Sequence, residues 1–132
     1  MLVSCSNYQL TLNSKPIYTP PQIYTSFTVE DNALQNCLTQ TLIDQNITDI
    51  RDLRIINCSY AGIENLSGLT HFKWLETINL SNNKLSDIKP LMFFGLLQKV
   101  NLEGNNSLPC ADLKALENFI SDRLVAPEVC VE

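Results

Sequence analysis

The sequence predicts an α/β solenoid, in which short strands and return segments wind into stacked coils with a helix at each end. Three observations carry this reading. Apolar residues recur with a period of 22 residues through the middle of the chain. One amphipathic helix pattern precedes that stretch, and a second follows it. The length, 132 residues, supports one small domain of this kind with a tail.

Composition narrows the function. Nine basic side chains against fourteen acidic ones leave a net charge of −5, which offers no footprint for phosphate backbones, so nucleic acid is not an expected partner. Apolar residues make up 45% of the chain and charged ones 17%, an ordinary balance for a folded domain. There is a single histidine, His71, and no G-x-S-x-G, Walker loop or H-E-x-x-H. No catalytic residue, metal site or cofactor is expected. Asp31, Asp49 and Asp52 could pair for acid–base work but read more simply as solvated acids near the first helix.

Along the chain, residues 1–28 come first. Leu2-Val3-Ser4-Cys5 resembles a bacterial lipobox, which would make Cys5 a lipidation site. The basic and apolar stretches of a complete signal are not in this sequence, because only four residues precede Cys5. Residues 6–28 contain three prolines and three tyrosines without helical periodicity, and read as an extended tether. Residues 29–52 then form a lid. Thr28 is the expected N-cap, with Asp31 three residues on. Val29, Ala33, Leu34, Cys37, Leu38 and Leu42 follow at helical spacing, predicting a helix over 29–43. Ile47 and Ile50 begin a partial coil.

The repeats occupy residues 53–110. Aligned on Leu53, Leu75 and Leu97, the chain gives columns Ile56/Ile78/Val100, Cys58/Leu80/Leu102, Leu66/Ile88, Leu69/Leu91/Leu113 and Phe72/Phe94/Leu116. A polar column interrupts them at Ala61/Asn83/Asn105. No single unit can bury its apolar face alone, so neighbours must stack.

LETINLSNNKLSDIKPL and LQKVNLEGNNSLPCADL follow L-x-x-L-x-L-x-x-N-x-L. This resembles the leucine-rich repeat family, in its 22-residue internalin-like and phosphatase-regulator-like class. The resemblance implies a short horseshoe with parallel strands on the concave face, an N-terminal cap helix and a C-terminal cap helix. It also implies that Asn83 and Asn105 bond backbone groups inside the turns, and that Ala61 leaves the first turn to be satisfied otherwise.

Residues 111–132 complete the chain. Leu113, Leu116, Phe119, Ile120 and Leu124 recur at helical spacing and predict a helix over 111–124. This end resembles a reduced cysteine-flanked leucine-rich-repeat cap, which implies a Cys110–Cys130 bridge. Cys37 and Cys58 both point toward the core and form the natural second pair, leaving Cys5 unpaired. Buried free thiols in a cytosolic protein are the alternative.

In a fold of this kind the residues between the strand leucines line the concave face. Tyr60 is the first candidate contact, as the only aromatic there. Asn57, Asn79, Asn101, Lys99 and Glu103 accompany it. The face can also be read as merely solvated. Trp74 and Phe93 fall outside the core columns. They read as packing filler or, if exposed, as a second apolar interface. The expected function is non-catalytic protein binding by a lipid-anchored protein of the bacterial envelope, in the outer membrane or periplasm. Contact with the membrane would be through the lipid alone, and the chain would be a monomer or one subunit of a hetero-complex. The rival is a cytosolic regulatory adaptor with reduced thiols.

Overall fold

Apolar–polar alternation over 53–58, 75–80 and 97–102 gives three short strands in the computed structural model, which describes residues 27–120 and 122–132. These are β1 (Ile55–Asn57), β2 (Thr77–Asn79) and β3 (Lys99–Asn101). A fourth strand, β4 (Arg123–Val125), joins them in one parallel sheet of order β1-β2-β3-β4. Register partners Ile56, Ile78 and Val100 follow the 22-residue period, whereas Leu124 lies 24 residues beyond Val100.

Between strands the chain returns through 3₁₀ turns at Leu69–His71 and Lys89–Phe93, and a third such turn, Ile50–Asp52, precedes β1. In the last coil a helix, α2 (Cys110–Phe119), takes this place. Its Ala, Leu, Lys and Glu residues are strong helix formers, and Pro109 sits at its N-cap, where no intrahelical donor is lost.

The predicted columns are the core. Leu53, Leu75 and Leu97, Ile56, Ile78 and Val100, and Phe72, Phe94 and Leu116 are all buried. Asn83 and Asn105 are buried among them and tie the coils together. Asn83 Oδ1 accepts from the backbone N–H groups of Ala61 and Ile63, while its Nδ2 donates to the carbonyls of Cys58 and Leu80. Asn105 accepts from Leu85 N–H and donates to Leu80 and Leu102. Each asparagine therefore serves its own coil and the one before it. Ala61 departs from the pattern without cost because Asn83 supplies its coil from the next one, and the layer before Ala61 is a helix with no turn to satisfy.

That helix, α1 (Asn32–Asp44), packs a stripe of Leu34, Leu38 and Leu42 against the first coil. Its N-cap is Asp31, not Thr28, so it starts three residues later than the sequence suggests. Asp31 wins because one carboxylate reaches two sets of donors. Oδ1 accepts from Ala33 and Leu34 N–H, and Oδ2 accepts from Glu64 and Asn65 N–H in the first coil. Just before it the chain passes over Gly68 (φ +94), where a Cβ would stand 2.8 Å from the Thr28 carbonyl. Phe27, inside the segment read as tether, is buried and meets Phe72 edge-on at 5.0 Å. Cys37 on α1 is bonded to Cys58, with Cα atoms 5.9 Å apart.

The C-terminal expectation needs correction. The helix over 111–124 ends at Phe119, and Leu124 belongs to β4. Asp122 and Arg123 N–H both donate to the Gln98 carbonyl, so sheet pairing takes over where the helix periodicity seemed to continue. The chain then turns back, Val131 bridges to Pro109, and Cys130 is bonded to Cys110 with Cα atoms 5.1 Å apart. No helix among the described residues is long and apolar enough to cross a membrane. Cys5 and the tether residues up to 26 lie outside the described residues.

Candidate functional site

Strand alternation puts Ile56, Ile78 and Val100 into the core and their neighbours onto the open face of the sheet. The face is thus written in columns. Ile55, Thr77, Lys99 and Arg123 form one, and Asn57, Asn79, Asn101 and Val125 the next.

The asparagine column has a local task as well. Oδ1 of Asn57, Asn79 and Asn101 accepts from the N–H of Ser59, Ser81 and Glu103, at 3.2, 3.0 and 3.0 Å. These Asx turns end each strand the same way. With the oxygen held in the turn, the wholly unengaged part of each carboxamide is the N–H₂ group. Nothing among the described residues accepts from it.

The residue that completes each turn is left-handed: Tyr60 (φ +55), Asn82 (φ +58) and Gly104 (φ +83). Asparagine and glycine suit that conformation; a tyrosine does not, and the strain costs on the order of 1 kcal/mol. Its side chain is 79% exposed, so no packing offsets the strain. The sequence offers the tolerant solution twice in the same column and departs from it only where the aromatic stands.

A shallow groove of about 290 Å³ crosses β2, β3 and β4, lined by Thr77, Asn79, Lys99, Asn101, Arg123 and Val125, with Ile78 and Val100 between them. Lys99 and Arg123 are direct register partners. Lys99 Nζ lies 3.8 Å from Asp122, and Arg123 has no ion-pair partner among the described residues. Glu103 is exposed beyond the Asn101 turn. The face therefore brings together Lys99, Asn79 and Asn101, with Asn57 one strand away and Tyr60 at its rim. Arg123 is the member that sequence reasoning missed, because the two-residue slip moved it off the 22-residue column into an apparent helix.

Residues 51–91 match the family model Leucine Rich repeats (2 copies). Over this span the chain carries two leucine-rich repeats. The matched span holds β1, β2 and the 3₁₀ turn between them, and the parallel sheet is consistent with a small leucine-rich-repeat solenoid. No curated protein matches the chain. Leucine-rich repeats are, as a class, protein-interaction modules and typically non-enzymatic.

The back of the repeats carries two further depressions. One, of about 650 Å³, lies between successive 3₁₀ turns and is lined by Gly68, Lys73, Pro90 and Phe93 among others. Phe93 is 77% exposed there, so it is not packing filler, whereas Trp74 is half-buried. The other, of about 590 Å³, gathers Asp49, Arg51, His71, Lys73 and Trp74. The Arg51 guanidinium, 3.0 Å from both oxygens of Asp49, holds that carboxyl down at about 2. Burial opposes ionisation of Asp31, but its four backbone N–H donors outweigh it and keep the carboxyl below the ordinary range. Both acids thus have structural partners, Asp49 at a solvent-exposed ion pair and Asp31 between helix and coil. No group of three His, Cys, Asp or Glu side chains among the described residues could hold a metal.

Proposed function

We propose that this chain is a non-catalytic binding module that holds a protein partner against the open face of its sheet, with Tyr60 as the principal anchor. In this reading the face is the concave side of a short horseshoe, and α1 and α2 are its end caps. The observation that carries it is the exposed tyrosine kept in a left-handed turn. Local strain without a structural return is retained where an external contact uses it, and tyrosine is enriched among binding hot spots. Lys99, Glu103 and the Asn57, Asn79 and Asn101 column surround it as the remaining contacts.

Site-directed photocrosslinking in the producing cell tests this. A benzoylphenylalanine at position 60 is expected to give one discrete protein adduct that disappears when Asn79→Arg obstructs the face. The same group at position 93, on the back, should give none. Adducts from position 93 alone would overturn the reading.

The module is further read as a lipid-anchored protein of a bacterial envelope. Support comes from the two cysteine pairs, which leave Cys5 over in a lipobox-like Leu2-Val3-Ser4-Cys5. The non-reduced intact mass decides this. Two bridges plus a diacylglyceryl group on Cys5 are expected, whereas a fully reduced, unmodified chain would favour the cytosolic adaptor.

A further inference from the structure

We propose that the groove across β2, β3 and β4 takes an acidic, extended segment of the protein partner, seating a carboxylate against Lys99 and Arg123. The inference rests on reading the open face as the docking surface and adds the chemistry of what docks.

Three features point the same way. First, the lining is rich in donors. Asn79 and Asn101 each have their oxygen held by Ser81 or Glu103 N–H, which leaves the N–H₂ group as the wholly unengaged part of the carboxamide. Lys99 and Arg123 add an ammonium and a guanidinium, and no carboxylate lines the groove. That is unusual in a chain of net charge −5. Second, Lys99 and Arg123 are direct register partners on adjacent strands, an arrangement in which like charges repel. One nearby carboxylate, Asp122 at 3.8 Å from Lys99 Nζ, offsets only part of that repulsion. A bound carboxylate would relieve the rest, and the flat guanidinium of Arg123 suits it in two-point contact. Third, the groove runs across the strands, between the Thr77–Lys99–Arg123 column and the Asn79–Asn101–Val125 column. At strand spacings of about 4.8 Å it spans about 10 Å, the length of three residues of extended peptide. Backbone carbonyls of such a peptide meet the two N–H₂ groups, and Val125 supplies an apolar end wall.

Fluorescence anisotropy with the full oxidised chain tests this, using fluorescein-labelled hexaglutamate, hexaserine and hexalysine peptides. The protein's net negative charge repels the acidic probe overall, so binding must come from the groove. Hexaglutamate is expected to bind at least about tenfold more tightly than hexaserine, the scale of one charge-assisted contact. Arg123→Glu and Lys99→Glu should each weaken it by about tenfold or more. The double variant Asn79→Asp/Asn101→Asp keeps the turn-forming oxygens, so its thermal melt should be unchanged, yet it too should lose the peptide. Equal affinity for hexaglutamate and hexaserine, or full affinity in Arg123→Glu or in the double aspartate variant, would overturn the proposal. So would an oligogalacturonate that binds more tightly than the peptide, since the groove would then be suited to an anionic saccharide. A crosslinked adduct from position 60 with no preference for hexaglutamate refutes the acidic chemistry alone and leaves the docking face standing.

Discussion

Asp31 offers the most direct check on how the first coil is held. Its two oxygens accept four backbone N–H bonds, two from the start of α1 and two from residues 64 and 65 of the first coil. Losing the helix cap costs about 1 kcal/mol. The two inter-element bonds are charge-assisted and worth about 1.5 kcal/mol each at a partly solvated position, the low end of their range. Asp31→Ala should therefore lower stability by about 3–4 kcal/mol, and Asp31→Asn, which keeps one acceptor, by about half of that. With a urea slope of about 1.5 kcal/mol per molar, the alanine variant's midpoint moves down by about 2 M. The dependence on pH supplies a second readout. Because the folded-state pKa lies below the ordinary 3.8, the part of the stabilisation that depends on the carboxylate charge is present above that value and is lost as pH falls through the lowered one. The gap between wild type and Asp31→Ala should thus be constant above about pH 5 and narrow as the pH falls below it. A midpoint shift below about 0.4 M, or a gap that does not narrow in acid, would refute the account of Asp31 as the clasp between helix and coil.

Other expectations follow from the same packing. Removing the first bridge with Cys37→Ala/Cys58→Ala opens a loop of sequence separation 21, and urea melts should show a loss of about 3 kcal/mol. Asn83→Ala strips partners from Ala61, Ile63, Cys58 and Leu80 in a buried turn. It should cost about 3 kcal/mol or more by the same assay, and accelerate hydrogen exchange at Ala61 and Ile63. Tyr60→Asn relieves the left-handed strain, so it should raise stability by about 1 kcal/mol while reducing partner capture by a benzoylphenylalanine placed at position 103, a stability–function trade that a purely structural tyrosine would not show.

Much of the fold was legible because burial in a repeat is periodic. Leucines and phenylalanines that must stack on their equivalents can be aligned by counting, and Asn83 and Asn105 announced the turns by breaking the apolar columns. The Cys37–Cys58 bridge followed from two core-facing cysteines at one end, and the Cys110–Cys130 bridge from the resemblance to a cysteine-flanked cap at the other. The last coil was opaque for one physical reason. A two-residue insertion placed Leu124 four residues after Ile120, where helical and strand spacing cannot be told apart by pattern alone. That hid β4 and, with it, Arg123. The N-cap was misassigned because Thr28 and Asp31 both suit a helix start, and the deciding partners, Glu64 and Asn65 N–H, lie over thirty residues away in sequence. Tyr60 was readable as the only aromatic on the face, but its backbone conformation was not, since nothing in a tyrosine announces a left-handed turn.

The asparagines at 83 and 105 join each coil to its predecessor, and this gives residues 75–96 the character of a cassette. A duplicate inserted directly after it would bring its own asparagine, bond backward into the original, and be bonded in turn by Asn105. No buried donor or acceptor would be stranded by the insertion. Each added rung would lengthen the open face of the sheet by about 4.8 Å and repeat the Thr-x-Asn columns unchanged. Both specialised ends would remain as they are. A lineage built on this chain can therefore resize its open sheet face in whole steps, by copying about 66 bases of coding sequence, three per residue over a 22-residue period.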